Sequence, residues 1–142
     1  GDVYKRQDLM ISLNTDSYSN EKAHGAATYF YGSDAHGVHS IVGERFASLV
    51  QREICARTDL TNCRIHAKTW DLLRLTTAPT VRIDLGYTSN PGDNSRLNRP
   101  DFRDVIAEAL VIAIQRLYLA AEDDAKTGTL RIADLRKAGI RR

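Results

Sequence analysis

The pattern of apolar and polar positions predicts a strand in three segments of the chain. Residues 8–14, DLMISLN, form an apolar run that ends in a polar loop. Residues 26–31, AATYFY, are rich in β-forming side chains and lie between two glycines. In residues 80–86, TVRIDLG, apolar side chains alternate with Arg82 and Asp84. Since strand side chains alternate between faces, this segment places those two charged residues on one face.

Two other segments repeat apolar residues at helical spacing. A helix is predicted over residues 40–56, with charged side chains off its apolar stripe. A second begins at Pro100, a residue suited to the first turn of a helix, and its stripe continues to Tyr118. Strands that alternate with amphipathic helices predict an α/β fold, a layered sheet flanked by helices.

The segments between these elements are predicted to be less regular. Residues 57–69 are expected to form a polar connection, and residues 70–75, WDLLRL, a short apolar segment of unassigned type. The turn-rich residues 87–100, YTSNPGDNSRLNRP, are expected to form a loop.

The composition of the chain excludes some classes of function but does not indicate a particular one. With 142 residues, 42% hydrophobic and 27% charged, the chain has the balance of one globular domain. Its net charge of +2 does not favour nucleic acid or a membrane surface as a partner. No apolar run is long enough to span a bilayer. Cys55 and Cys63 form no Cys-x-x-Cys pair and are expected to be ordinary thiols.

The first residues do not continue the pattern of the strand that follows. Residues 2–7, DVYKRQ, are what the DNA string GAT-GTG-TAT-AAG-AGA-CAG encodes, which resembles a transposase adaptor used in sequencing libraries. We therefore expect residues 1–7 to be a sequencing-adaptor scar, which fold reasoning should exclude. A genuine exposed N-terminal arm is the alternative. Residues 8–121 are expected to form the domain, and residues 122–142 a loosely held tail.

The order of these segments, with the stretch LLRLTTAPTVRIDLGYTSNP, resembles the zinc-dependent N-acetylmuramoyl-L-alanine amidases that cleave peptidoglycan stems. The resemblance runs from about Asp8 to Tyr118. The stretches SLNTD, NEKAHGAAT, VGERFASLVQREI and HAKTWDLLRL are most similar to the actinobacterial CwlM-type homologues, which are associated with control of cell-wall precursor synthesis. The resemblance to the amidases implies that residues 8–121 are the C-terminal part of an amidase-like domain that is incomplete at its N-terminus.

The resemblance also assigns two positions of the family's zinc site. A zinc-binding histidine of the family falls on Asn14, and its catalytic glutamate falls on Asp84. The stretches that carry the other two zinc ligands are not present. An amide oxygen is a poorer zinc donor than imidazole. An aspartate withdraws the carboxylate by roughly an ångström, which can cost on the order of a hundredfold in rate. The family cofactor is zinc, and we expect this chain to bind none.

Each of these two residues also has a purely structural interpretation. Asn14 could end its strand by bonding the following loop, residues 15–17. Asp84 could pair with Arg82 on the same strand face, or remain a carboxylate in a cleft. The histidines offer a weak alternative metal site, with His24, His36 and His39 in polar loops.

The stretch RIHAKTWD is shared with the CwlM-type subgroup, so its residues His66 and Trp70 are candidates for a partner surface.

Two functions from different classes remain. The first is a degenerate amidase-fold protein, a cytoplasmic and non-catalytic regulator that acts through protein partners of cell-wall precursor synthesis. The second is an active zinc amidase that cleaves the muramoyl–L-alanine bond outside the membrane, with Asp84 or a loop histidine as a third ligand. A third and weaker hypothesis is a cleft that binds peptidoglycan or a muropeptide without turnover. Because the family's first strand and helix are missing, we also expect an exposed sheet edge and self-association.

Overall fold

The computed structural model describes residues 8–33, 35, 37–74 and 78–124, with side chains described through residue 119. Its strands are β1 (Met10–Asp16), β2 (Ala26–Ser33), β3 (Val38–His39), β4 (Asn62–Lys68) and β5 (Thr80–Tyr87). Its helices are α1 (Ile41–Arg57), α2 (Asp71–Arg74), α3 (Pro91–Leu97) and α4 (Pro100–Asp124). The predicted scar (residues 1–7) and most of the predicted tail (residues 125–142) lie outside the described residues.

The strands form one mixed sheet in the order β1-β5-β2-β4. β1 runs parallel to β5, β5 antiparallel to β2, and β2 parallel to β4. The short β3 pairs with the end of β2. The predicted α/β fold is therefore confirmed, with helices packed on a layered sheet.

The core lies between one face of the sheet and the two long helices. α1 packs against β2, β4 and β5, and α4 packs along α1. The apolar stripes predicted from the sequence supply the core, whose largest fully buried side chains include Phe46, Ile54, Ile83 and Leu117. The opposite face of the sheet, termed the open face below, carries Asn14, Tyr29, Arg82 and Asp84.

The prediction of a polar connection over residues 57–69 is wrong, because residues 62–68 form β4. Its side chains alternate between exposed polar residues and half-buried Cys63, Ile65 and Ala67. Cys63 and Ala67 are small, and Ile65 is the one large aliphatic residue of the strand. The two-residue period of hydrophobicity is therefore weak, and the prediction from the sequence overlooked it. A bulge also interrupts the pairing with β2, since the register shifts by one residue and Arg64 adopts φ 68°.

The loop prediction for residues 87–100 is also wrong in part, because residues 91–97 form α3. The side chain of Asn90 accepts a hydrogen bond from the Asp93 amide at 3.0 Å, and Pro91 occupies the first turn. An asparagine cap followed by proline is an ordinary helix start. The helix was missed because it has no apolar stripe: four of its seven residues are polar, and the one that is buried is Asp93.

Other boundaries shift modestly. β1 continues past residue 14 to Asp16, because Asp16 aligns with Tyr87 across the sheet. The short apolar segment at residues 70–75 contains α2, whose Leu73 is buried. α4 extends three residues into the predicted tail.

β1 lies at an edge of the described sheet, as expected. It pairs with β5 and with no other strand among the described residues. Leu13 is 52% exposed there, and Met10 is also well exposed. A strand edge with exposed apolar side chains is a site at which a second chain can pair.

Candidate functional site

The structure brings Asn14 and Asp84 together. They are aligned neighbours in the parallel pair β1–β5 and lie near the carboxyl ends of both strands. The core residues Val81 and Ile83 alternate with Arg82 and Asp84 along β5, which puts the charged pair on the open face. Two positions far apart in the sequence, both expected from the family resemblance to belong to the zinc site, are thus adjacent.

The Asn14 amide is held by its own strand. Its Nδ2 donates a hydrogen bond to Ser12 Oγ at 2.9 Å. The prediction that it bonds residues 15–17 is therefore wrong. Asp16, two residues further along the strand, bonds this loop instead. Its carboxylate accepts a hydrogen bond from the Ser17 amide at 2.7 Å.

The Asp84 carboxylate forms an ion pair with Arg82. The Nε of Arg82 lies 2.9 Å from Oδ1 of Asp84. The side chain of Asp84 is 8% exposed and that of Arg82 is 33% exposed. A buried carboxylate requires such a partner, since its charge is otherwise costly to remove from water. The predicted strand-face ion pair is confirmed.

Two phenols near these carboxylates were missed by the sequence reasoning. Burial, and next the charge of Asp84, raise the pKa of Tyr29 above its ordinary value. Burial, and next the charge of Asp16, raise the pKa of Tyr87. Both shifts favour the protonated, neutral form of the phenol. The alternation in AATYFY places Tyr29 on the face opposite Phe30, and this signal could have found it.

The residues at this site do not fit a catalytic zinc ion. The available donors are an amide bonded to a serine and a carboxylate paired with a guanidinium, whereas zinc favours thiolate, imidazole and free carboxylate. Among the described residues, no group of three histidine, cysteine, aspartate or glutamate side chains lies close enough to hold a metal ion. A positive guanidinium beside the carboxylate also opposes the approach of a divalent cation.

The histidines do not supply a replacement site in the part of the chain that is described. His24 Nδ1 lies 2.7 Å from the Lys22 carbonyl oxygen, and His39 lies 3.0 Å from the Glu44 carboxylate. His66 Nε2 lies 2.7 Å from the carbonyl oxygen of Cys63. His36 lies outside the described residues. Each described histidine thus has a local protein partner.

The two cysteines are free, as predicted. Burial raises the pKa of the Cys55 and Cys63 thiols, which disfavours the nucleophilic thiolate form.

The partner-surface candidates His66 and Trp70 lie on the open face, in contact with the same tyrosine. The ring centroid of Tyr29 is 4.8 Å from that of Trp70 and 5.6 Å from that of His66. Two cations flank the indole, with Lys68 Nζ 5.7 Å and Arg82 Cζ 5.4 Å from its centroid. We call these five residues the Trp70 surface.

Comparison with known proteins identifies the family. A model of the Amidase_3 family, described as N-acetylmuramoyl-L-alanine amidase, matches residues 4–116. The chain is 46% identical over 128 residues to "N-acetylmuramoyl-L-alanine amidase CwlM" of Mycobacterium tuberculosis, covering 90% of this chain and 31% of that relative. The chain therefore spans about a third of the length of this curated relative.

Solved structures share the fold. The AmiC2 amidase of Nostoc punctiforme superposes with a TM-score of 0.66 at 23% identity, over 76% of this chain and 56% of that one. The CwlD amidase of Clostridioides difficile, solved in complex with the GerS lipoprotein, gives 0.67 at 22% identity, over 77% of this chain and 53% of that one.

None of the helices in the described part of the chain has the length and apolarity that a membrane crossing requires. Because the family match covers well over half of the sequence and the fold agrees with it, the chain belongs to the N-acetylmuramoyl-L-alanine amidase family.

Proposed function

We propose that this chain is a degenerate amidase-fold protein of peptidoglycan metabolism, a non-catalytic regulator of cell-wall precursor synthesis. One observation carries the proposal: the adjacent residues at the two family site positions are both engaged by neighbours within their own strands. Asn14 is bonded to Ser12, and Asp84 is paired with Arg82. The two residues on which amide hydrolysis would depend are therefore held in structural contacts.

The electrostatics support the same conclusion. A general base must be within hydrogen-bond reach of the proton it abstracts and must be free to accept it. The guanidinium of Arg82 donates a hydrogen bond to Asp84 and so occupies one of its carboxylate oxygens. Arg82 thus supplies the positive charge that a metal ion would supply in an active member of the family, without a metal's ability to polarise water.

The regulatory part of the proposal rests on the similarity to the CwlM-type subgroup and on the Trp70 surface. A regulator acts through partners, and an exposed aromatic side chain flanked by cations is typical of an interface. We accordingly place the protein in the cytoplasm, with enzymes or regulators of precursor synthesis as its partners.

The alternative is an active zinc amidase that cleaves the muramoyl–L-alanine bond. The names of the relatives favour it, because CwlM of Mycobacterium tuberculosis carries an amidase name. In that case the remaining ligands come from outside the described residues, and the protein acts at the cell envelope.

Measurements of zinc content and of muropeptide hydrolysis distinguish the non-catalytic regulator from the active amidase. The protein, expressed with every coding segment of its locus, is loaded with zinc and incubated with a muropeptide beside an active amidase of the family. We expect substoichiometric zinc and no free stem peptide. The matched variant Asp84→Asn identifies the source of any hydrolysis, since a contaminating enzyme is unaffected by it. Chelator-sensitive hydrolysis that Asp84→Asn abolishes would overturn the proposal.

The regulatory function has its own readout. When the protein is depleted in its source bacterium, we expect the pool of nucleotide-linked muramoyl-peptide precursors to change while the release of stem peptides from the wall stays constant. The reverse result, with constant precursors and reduced release, is what loss of an amidase produces.

A further inference from the structure

We infer that the Trp70 surface is a docking site for an acidic segment of a partner protein. The inference rests on the proposed regulatory function and adds the chemistry of the partner. Trp70 is 39% exposed, although it lies 4.8 Å from Tyr29, so one part of the indole packs on the sheet and another part faces solvent. Such a half-packed aromatic side chain offers contact area at a small cost in conformational entropy.

Two side chains of the Trp70 surface are held by other parts of the chain before any partner binds. The Nε2–H of His66 donates to the carbonyl of Cys63 at 2.7 Å, because a carbonyl oxygen can only accept. This bond fixes the imidazole against Tyr29. Arg82 is fixed by its pair with Asp84. Binding therefore requires little further ordering of these side chains.

The charged side chains of the Trp70 surface that reach solvent are both positive. Lys68 is exposed and forms no ion pair among the described residues, and Arg82 is one-third exposed. The carboxylate of Asp84 is buried, and that of the nearby Asp71 is paired with Arg74 at 2.9 Å. A segment with aspartate or glutamate around one apolar side chain is complementary to this arrangement.

The edge of the sheet beside this surface disfavours pairing with an added strand. Among the described residues β4 forms the other edge of the sheet, but its bulge at Arg64 interrupts the regular ladder. The bulge is held by the Asn62 side chain, which accepts from the Arg64 amide at 2.9 Å. Bulges and edge cations are features that prevent edge-to-edge pairing. The acidic segment is therefore expected to lie across the open face rather than to extend the sheet.

Fluorescence can test the docking site directly, because Trp70 is the single tryptophan of the 142-residue chain. The probe is a short synthetic peptide that alternates glutamate and serine around one central phenylalanine. Its control is the same peptide with glutamine in place of glutamate. We expect the acidic peptide alone to shift the emission of Trp70, with an affinity that falls as salt is added.

Two charge reversals assign the binding to the surface. Lys68→Glu removes the exposed cation beside the indole and is expected to weaken binding about tenfold. Arg103→Glu makes the same change in net charge at an exposed position of α4 and should leave the affinity unaltered. Circular dichroism confirms that both variants fold.

The inference is overturned if the acidic peptide leaves the emission unchanged, or if Lys68→Glu and Arg103→Glu weaken binding equally. A response to a muropeptide without a response to the acidic peptide would also overturn it and would assign the surface to a cell-wall fragment. These outcomes are independent of the hydrolysis assay. Absence of peptide binding with absence of hydrolysis would remove the docking site and leave the proposed loss of catalysis intact.

Discussion

The guanidinium of Arg82 lies 2.9 Å from the carboxylate of Asp84, two residues along the same strand and on the same face of the sheet. The contact connects the two parts of the open face. Asp84 is aligned with Asn14 across the β1–β5 pair, and Arg82 lies under the indole of Trp70. The cation that pairs with Asp84 thus also forms part of the proposed docking surface.

Loss of Arg82 should destabilise the fold. Arg82→Leu leaves the nearly buried Asp84 carboxylate without its partner, and we expect a cost of about 2 kcal/mol in the free energy of unfolding. The partial exposure of Arg82 keeps this value below that of a fully buried pair. Urea denaturation measures the change. In the double variant Arg82→Leu/Asp84→Asn the loss should be smaller, because no unpaired charge remains. Equal losses in the single and double variants would show that the pair contributes nothing.

The raised pKa of Tyr29 predicts a specific loss of stability at alkaline pH. Its pKa in the folded protein is raised above the ordinary 10.0, first by burial and then by the charge of Asp84. The folded state therefore binds the phenolic proton more tightly than the unfolded state. The resulting stabilisation is complete below about pH 10 and is lost as the pH rises through the folded-state pKa. Tyr29→Phe should remove this part of the alkaline dependence.

Denaturation at neutral pH and above pH 10 separates this effect from the loss of the hydroxyl itself. The phenolate absorbance of the wild-type chain provides a second readout, since Asp84→Asn should shift the Tyr29 titration to lower pH. A titration that Asp84→Asn leaves unmoved would mean that burial alone raises the pKa.

The sequence predicted the elements that have a continuous buried face. β2, β5, α1 and α4 each bury apolar residues at the period of their own geometry, so their patterns are strong. β4 buries only small or single apolar side chains, and α3 buries a carboxylate, so hydrophobic periodicity could find neither.

The site was predictable only in part, for a similar reason. The Arg82–Asp84 pair follows from the two-residue period of one strand. The adjacency of Asn14 and Asp84 depends on the pairing of β1 with β5, which no local pattern encodes. The Trp70 surface depends on three separate segments, and only the histidine and the tryptophan were found from the sequence.

The buried Asp93 is expected to stabilise the end of the sheet near the site. Its carboxylate is 1% exposed and accepts hydrogen bonds from the amides of Gly25 at 2.8 Å and Tyr87 at 3.0 Å. Asp93→Ala leaves the buried amide of Gly25 and the half-buried amide of Tyr87 without this acceptor, and should cost about 3 kcal/mol in the free energy of unfolding. Asp104→Ala, at an exposed position of α4, is the matched control and should have little effect. Similar midpoints for the two variants in urea would contradict this role.

The close approach of the Asp93 carboxylate also explains why residue 86 is a glycine. Gly86 adopts φ +125°, and a Cβ placed there would lie 3.0 Å from Asp93 Oδ2. Gly86→Ala should therefore be destabilising through both backbone strain and this contact.

The exposed edge at β1 predicts that the chain associates with itself. Leu13 is 52% exposed on an edge strand whose outer backbone groups have no partner strand among the described residues. We expect concentration-dependent oligomers in sedimentation equilibrium. Leu13→Glu adds a charge that opposes edge pairing and should shift the chain towards monomer. Ile41→Glu removes a more exposed apolar side chain at the start of α1 and should leave the association unchanged. A wild-type chain that stays monomeric at high concentration, with one sharp thermal transition, would contradict the prediction that the β1 edge drives self-association.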